Sequence, residues 1–356
     1  MGLFRVFFPY GWSFMRLAKR ASSLALLLAA LGICAAGMPA LAQESKKSRQ
    51  PAFPILWQDP GDIPKRDLRY GAGSPELAPQ APFTFVKEDK SGESPKFEVK
   101  DARGVEWRVK IGPEAKSETV STRLVWAVGY FAEEAYYLPE VRIDGMKRLS
   151  RGREYVSGDG IVRGARFEPR RKGVERGDEW GWMENSFEGT REMSGLKILM
   201  ILLNNFDARK ANNRVLYVEG PNGVREKHYV VTDLGATLGR AGGFGGKRTK
   251  NNLDDFLSTK FVRGVDDGVV EFDYDTRPRG LGHLTVFQPF YYRGEVKKEK
   301  AMRGIPVGHA RWIGSLLSQL TDEQLTDAFR AADYDETTTK GYVRALRERI
   351  NQLTSL

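Results

Sequence analysis

The sequence predicts an α+β chain in two lobes, a small β-rich lobe with one helix followed by a larger helical lobe. Three observations lead there. Alternating apolar runs crowd together after Phe83, helical spacing dominates the C-terminal third, and an almost wholly apolar segment, 196–203, lies between them. Alternation marks a half-buried strand, spacing near 3.6 marks a helix face, and continuous apolarity marks a buried helix.

The elements follow in order. Residues 1–42 carry four cations, Arg5, Arg16, Lys19 and Arg20, and no acid. An apolar run over 24–41 ends in Ala40-Leu41-Ala42. A basic start, a short apolar stretch and a small-x-small site are the parts of a secretory signal. Met15 begins a compact basic segment of its own and is an alternative start. A spanning helix needs about 20 apolar residues, and Gly37 and Pro39 interrupt this run. The expectation is a cleaved signal, an exported protein, periplasmic or extracellular, and no stable membrane span afterwards. The one cysteine, Cys34, lies in that signal, so the mature chain has neither a disulfide nor a thiolate zinc site. Without the four leading cations, 52 Lys and Arg stand against 46 Asp and Glu, a net charge of +6. That modest excess makes no case for nucleic acid as a partner.

Residues 43–82 are polar and hold seven prolines, which reads as an extended arm, with Trp57 and Tyr70 laying it on the body. A β-rich lobe is expected over 83–168. Its runs 83–86, 97–99 and 105–111 alternate and are separated by Ser91-Gly92 and Arg103-Gly104, a three-strand meander. Ser117 reads as the N-cap of a helix carrying Leu124, Val125, Val128 and Phe131. The helical lobe is expected over 169–356. It opens with the buried helix 196–203 and closes with helices over 312–320, from a capping-box pattern Thr321-x-x-Gln324 to Ala331, and over 338–353.

The chemistry-bearing residues cluster where the buried helix ends. Asn204-Asn205-Phe206-Asp207 leads to Asn212, five residues after the Asp. A hairpin with strands near 215–218 and 229–232 then delivers Asp233-Leu234-Gly235. Phosphoryl transfer needs Mg²⁺ held against nucleotide phosphates by one or two protein oxygens, and a separate carboxylate facing the acceptor hydroxyl. Asp207 fits the acceptor role, and Asn212 and Asp233 fit the metal. The same chemistry asks for a cation on an upstream strand and a helix carboxylate to hold it. Lys110, ending the third strand, and Glu118, at the start of the next helix, are the candidates, with Glu133 and Glu134 as rivals for the carboxylate.

These residues resemble the HipA-type branch of the protein-kinase-like superfamily. The resemblance covers about residues 83–240. Ser91-Gly92-Glu93-Ser94-Pro95-Lys96, then Trp107-Arg108-Val109-Lys110, is similar to that family's phosphate loop and lysine strand. Asn205-x-Asp207 with Asn212 is similar to its catalytic loop. The resemblance implies a two-lobed protein-kinase-like fold, Mg²⁺ and ATP as cofactors, and a phosphate cradle from Ser91, Gly92 and Ser94. Arg209 and Lys210 stand where HipA proteins carry His, and that family's N-terminal domain has no counterpart here. The expected function is an exported Mg-ATP-dependent phosphotransferase of unknown acceptor. Because ATP is scarce outside the cytoplasm, a non-catalytic binding protein is the alternative. The glycine-rich run 242–248 lacks the leading Gly and the final Ser or Thr of a P-loop. His228, His283 and His309 are too scattered for zinc.

Overall fold

The computed structural model describes residues 52–171, 174–220, 223–244, 248–279 and 289–356, all within the unit Gln50–Leu356. The segment read as a signal lies outside the described residues, as do His283 and residues 245–247 of the glycine-rich run.

The chain enters through β1 (Phe53–Ile55) and two 3-10 turns, Ile63–Lys65 and Pro75–Leu77. The strands β2 (Phe83–Asp89), β3 (Lys96–Lys100) and β4 (Glu106–Ile111) form the expected antiparallel meander. After helix α1 (Pro113–Ala127), β5 (Tyr136–Asp144) and β6 (Ile161–Pro169) continue the sheet, with β6 beside β4. β5 then pairs in parallel with β2, Phe83 opposite Ile143, and the five strands close into a barrel. Side chains alternate across each strand. Phe97, Val99, Trp107, Val109 and Ile111 therefore fill the barrel, and Lys110 faces the other way. α1 starts earlier than Ser117: Pro113 takes the first helical position, where its fixed φ suits a helix and its missing N–H costs nothing. Gly112 turns the chain into it with a φ of 94°.

Beyond the barrel, β7 (Glu175–Arg176) precedes α2 (Arg191–Leu202), capped by the Thr190 side chain and buried on nearly every side. The hairpin β8 (Asn213–Glu219) and β9 (Arg225–Val231) joins β7 on one side and β1, in parallel, on the other. Next come β10 (Gly243–Phe244), α3 (Leu253–Leu257), β11 (Val262–Asp266), β12 (Val269–Phe272) and β13 (Pro278–Arg279). The chain ends with α4 (Pro289–Ala301), β14 (Ile305–Pro306), α5 (Val307–Leu317), α6 (Asp322–Arg330) and α7 (Glu336–Thr354). β10 pairs with β13, and β11, β12 and β14 make a three-stranded sheet. Among the described residues no helix is long and apolar enough to cross a membrane.

The expected two-lobed kinase-like layout is overturned. The β-rich part is a closed five-stranded barrel, not a three-strand meander with a helix, and among the described residues the remainder carries three further sheets. The closing contact joins residues about sixty positions apart, and short paired strands such as β10 and β13 are too brief to show a period. The capping box at Thr321 and Gln324 is present in full.

Proline-rich residues 52–82 are built into the body. Leu56, Ile63 and Leu68 are buried in the same core as α2, α5, α6 and α7. The Gln324 amide donates to the carbonyls of Ile63 and Arg66, both at 2.8 Å, while its oxygen completes the capping box. Trp57 donates to the Val128 carbonyl at 2.7 Å and stacks edge-on against Trp312. Gly129 is needed there: a Cβ would lie 2.2 Å from the Gln58 carbonyl. Burial on this scale predicts that Ile63→Ala lowers stability by about 2–5 kcal/mol. Phe53→Ala, at a side chain 62% exposed, should stay within about 0.5 kcal/mol in denaturant unfolding.

Candidate functional site

Three strands set a row of cations on the outer face of the barrel. Lys96 on β3 lies opposite Lys110 on β4, which lies opposite Arg166 on β6. Like charges directly opposite one another repel, so this row stands only with carboxylates against it. α1 supplies them. Its residues Glu114 and Glu118 are one turn apart and share a face. Glu118 lies 2.7 Å from Lys110 Nζ and 3.4 Å from Arg166 Nη1, and so bridges two of the three cations. Glu114 lies 3.4 Å from Lys110 and 2.5 Å from Lys250 Nζ, and accepts from Ser94 Oγ at 2.5 Å. Arg166 also meets Glu168 at 3.2 Å and Glu133 at 3.7 Å. Glu118 is therefore the carboxylate on Lys110, while Glu133 serves Arg166 and Glu134 pairs with Arg171.

Asp233 completes this cluster from the far end of the chain. It follows β9 by two residues, and its Oδ1 sits 3.3 Å from Lys110 Nζ while accepting from the Gly235 N–H at 3.2 Å. The hairpin holds the other half of the site against it. Asn213 pairs with Val231, and one step outward the Asn212 carbonyl accepts from the Thr232 N–H at 2.8 Å. Asn212 in turn gives its amide Nδ2 to Asp207 twice, to the backbone oxygen and to Oδ2, both at 2.8 Å. Asp207, Asn212, Asp233, Lys110 and Glu118 thus form one bonded chain through the Asn212–Thr232 link.

The Asp207 loop is pinned from behind. Asn204 leaves α2 with a φ of 54°, a conformation that asparagine tolerates well. Asn205 is fully buried; its Oδ1 accepts from the Asp207 N–H, and its carbonyl accepts from Tyr274 at 2.6 Å. Lys298 donates to the Phe206 carbonyl at 2.5 Å. Arg209 grips Asp207 with two nitrogens, Nε at 2.5 Å from Oδ1 and Nη2 at 2.8 Å from Oδ2.

The predicted phosphate turn is joined only in part. Ser94 reaches the cluster through Glu114, but the N–H and hydroxyl of Ser91 both turn to Asp89, and the Gly92 carbonyl accepts from Arg151. Sequence reasoning missed Glu114, Arg166, Lys250 and the grip of Arg209. Glu114 carried a signal, one helical turn before Glu118. Arg166 and Lys250 carried none, because their partners are distant in sequence.

The electrostatics follow from burial. Enclosure alone would push the Lys110 ammonium down, but Glu118, Asp233 and Glu114 outweigh it and raise it. Burial pushes the Glu118 carboxyl up against the pull of Arg166 and Lys110. Burial also pushes Glu114 up, yet Lys110, Lys250 and Ser94 together hold it at about 2.

Among the described residues no group of three or more His, Cys, Asp or Glu is placed to hold a metal. Mg²⁺ bound with nucleotide takes only one or two protein oxygens. Asn212 has its amide nitrogen on Asp207, which leaves the side-chain oxygen for a cation, and Asp233 is 36% exposed with Oδ1 turned to Lys110. Both side chains offer oxygen donors of the kind Mg²⁺ takes. Comparisons with protein-family models, curated proteins and solved structures found no match to this chain.

Glu114 gives a pH test. Its folded value lies below its ordinary 4.5, so its stabilisation is complete above about pH 4.5 and is lost as pH falls towards 2. The stability difference between the parent and Glu114→Gln should shrink by about 3 kcal/mol between pH 5 and pH 2 in urea unfolding, on the scale of about 1.4 kcal/mol per pH unit.

Proposed function

We propose that the chain is an exported Mg-ATP-dependent phosphotransferase that acts on a hydroxyl acceptor. One observation carries the reading. A buried lysine on a strand is paired with a helix carboxylate at 2.7 Å and with an Asp-Leu-Gly aspartate at 3.3 Å, and that aspartate is tied through a hairpin to an Asp-x4-Asn loop. The reading rests on this site and not on the overall layout. The similarity of Asn205-x-Asp207-x4-Asn212 to the HipA-type catalytic loop supports it, as does the charged start and apolar run of residues 1–42 for export.

Mg-ATP would supply the phosphoryl group: the acceptor oxygen bonds to the γ-phosphorus as its bond to the β-phosphate oxygen breaks, ADP leaves, and the hydroxyl proton passes to Asp207. Lys110, with Lys96 beside it, presents positive charge to the α- and β-phosphates. Glu118 keeps Lys110 in place through the Arg166 bridge. Asp233 and the Asn212 oxygen would hold the cation, and Asn212 Nδ2 orients Asp207.

A non-catalytic binding protein is the second reading, and the Arg209 grip favours it, because both Asp207 oxygens are already engaged. Transfer of labelled phosphate from ATP by the chain from Gln43 separates the two. Mg²⁺-dependent transfer is expected, lowered at least about a hundredfold by Asp207→Ala and by Asp233→Ala. Thermal stabilisation by Mg-ATP without transfer would mark the binding protein. Neither transfer nor stabilisation would sink both nucleotide readings.

A further inference from the structure

A cleft of about 340 Å³ opens beside the Asp207 loop, between that loop, residues 181–184 and α4. Its volume is that of a small-molecule site. Arg209, Lys210, Lys297 and Lys298 line it, against a single carboxylate, Glu184. Lys298 is buried and already committed to the Phe206 carbonyl and to Glu295 at 2.9 Å. Lys210 and Lys297 are exposed and make no ion pair among the described residues. Gly294 sits on the same wall within α4, and a Cβ there would meet nothing within 4 Å. Glycine inside a helix costs about 1 kcal/mol relative to alanine, and no neighbouring protein atom requires it here.

The cleft and the reacting carboxylate share one residue. Arg209 lines the cleft and also closes both oxygens of Asp207. A guanidinium on both oxygens competes with an acceptor hydroxyl for them. An arginine fork suits a phosphate as well as a carboxylate. Its side chain is 58% exposed and Asp207 is its one ion-pair partner among the described residues, so Arg209 can exchange anions from the solvent side.

Resting on the phosphotransferase reading above, we infer that the acceptor is a small hydroxyl compound bearing an anionic group of the phosphate-ester class. The group seats on Lys210 and Lys297, draws Arg209 onto itself and uncovers Asp207 for the hydroxyl proton. The acceptor's own charge then admits it to the reaction, and a neutral hydroxyl compound leaves Asp207 covered.

The test uses glycerol 3-phosphate, which combines a phosphate ester with free hydroxyls, and glycerol as its neutral counterpart. Calorimetric titration without nucleotide should show the protein binding glycerol 3-phosphate and not glycerol. The double variant Lys210→Ala with Lys297→Ala should weaken binding at least about tenfold. Gly294→Leu keeps every charge and fills the cleft, so it should weaken binding equally, with an unchanged melting temperature as the check on folding. The Arg209 Nε–H resonance should move on adding glycerol 3-phosphate and stay still on adding glycerol. Equal binding of the two compounds, no binding of either, or binding indifferent to these variants overturns the inference. So does capture by phosphatidylglycerol vesicles without binding of glycerol 3-phosphate, which would place the anion on a membrane. The inference and the reading beneath it fail separately. The expected binding pattern without transfer from Mg-ATP keeps the anion site and removes the phosphotransferase. Transfer to glycerol as fast as to glycerol 3-phosphate keeps the phosphotransferase and removes the anion site.

Discussion

Two cations stand directly opposite each other on neighbouring strands, Lys110 on β4 and Arg166 on β6, both nearly inaccessible to solvent. The effective penalty for taking an ion out of water is several kcal/mol, and two like charges side by side add repulsion. Neither strand can relieve this by itself, since register fixes the pair. Relief comes from α1, whose Glu118 touches both, and from Asp233, Glu114, Glu133 and Glu168 around the edge. The arrangement constrains much of the molecule. It needs β4 and β6 adjacent, α1 packed across the barrel with Glu118 inward, and the end of β9 brought up to Lys110. Losing Glu118 would remove the carboxylate that touches both cations, so these elements hold one another in place.

The barrel is the rigid part of this bargain. Its closure by β5 on β2 fixes the strands that carry the cation row, and its apolar interior, Phe97, Val99, Trp107, Val109 and Ile111, keeps the charged face outward. Residues 52–82 make the other structural tie. They run from β1, paired with β9, through Leu56, Ile63 and Leu68, to the start of the barrel. The Gln324 side chain holds that passage to α6. The hairpin that positions Asp233 and Asn212 is therefore anchored both by its own sheet and by a segment whose proline content reads as an arm.

What could be read in the sequence was local. Lys110 on a strand, Glu118 on the following helix, the Asp207-to-Asn212 spacing and Asp233 after a hairpin each show in a window of a few residues, and the structure links them all. Closure of the barrel did not show, because its parallel pairing of Phe83 with Ile143 leaves no mark in either strand alone. Nothing around Arg166 in the sequence marks it, and only the β4–β6 register singles it out. Ser117 had the chemistry of a cap, yet Gly112-Pro113 starts the helix a turn earlier and leaves the Ser117 hydroxyl to bond the carbonyl of Gly235. The seven prolines suggested an extended segment but carried no information about the three apolar side chains buried among them.

The two aspartates of the site differ in what holds them, and that difference assigns their behaviour. Asp233 meets a lysine that is 7% exposed and shared among three carboxylates. Moving that lysine would break its contacts with Glu118 and Glu114 as well, so the Asp233–Lys110 contact is a fixture. Asp207 meets an arginine that is 58% exposed and, among the described residues, makes its ion pair with that carboxylate. An exposed pair contributes little to stability, since water screens it and two long side chains lose freedom in forming it. The Asp207–Arg209 contact can therefore open more readily than the buried Lys110 cluster while the rest of the site stays still. A ligand that offers Arg209 a second anion changes the state of Asp207 without disturbing Lys110, Glu118 or Asp233, and the site divides into a fixed half and an exchangeable half that meet at Asn212.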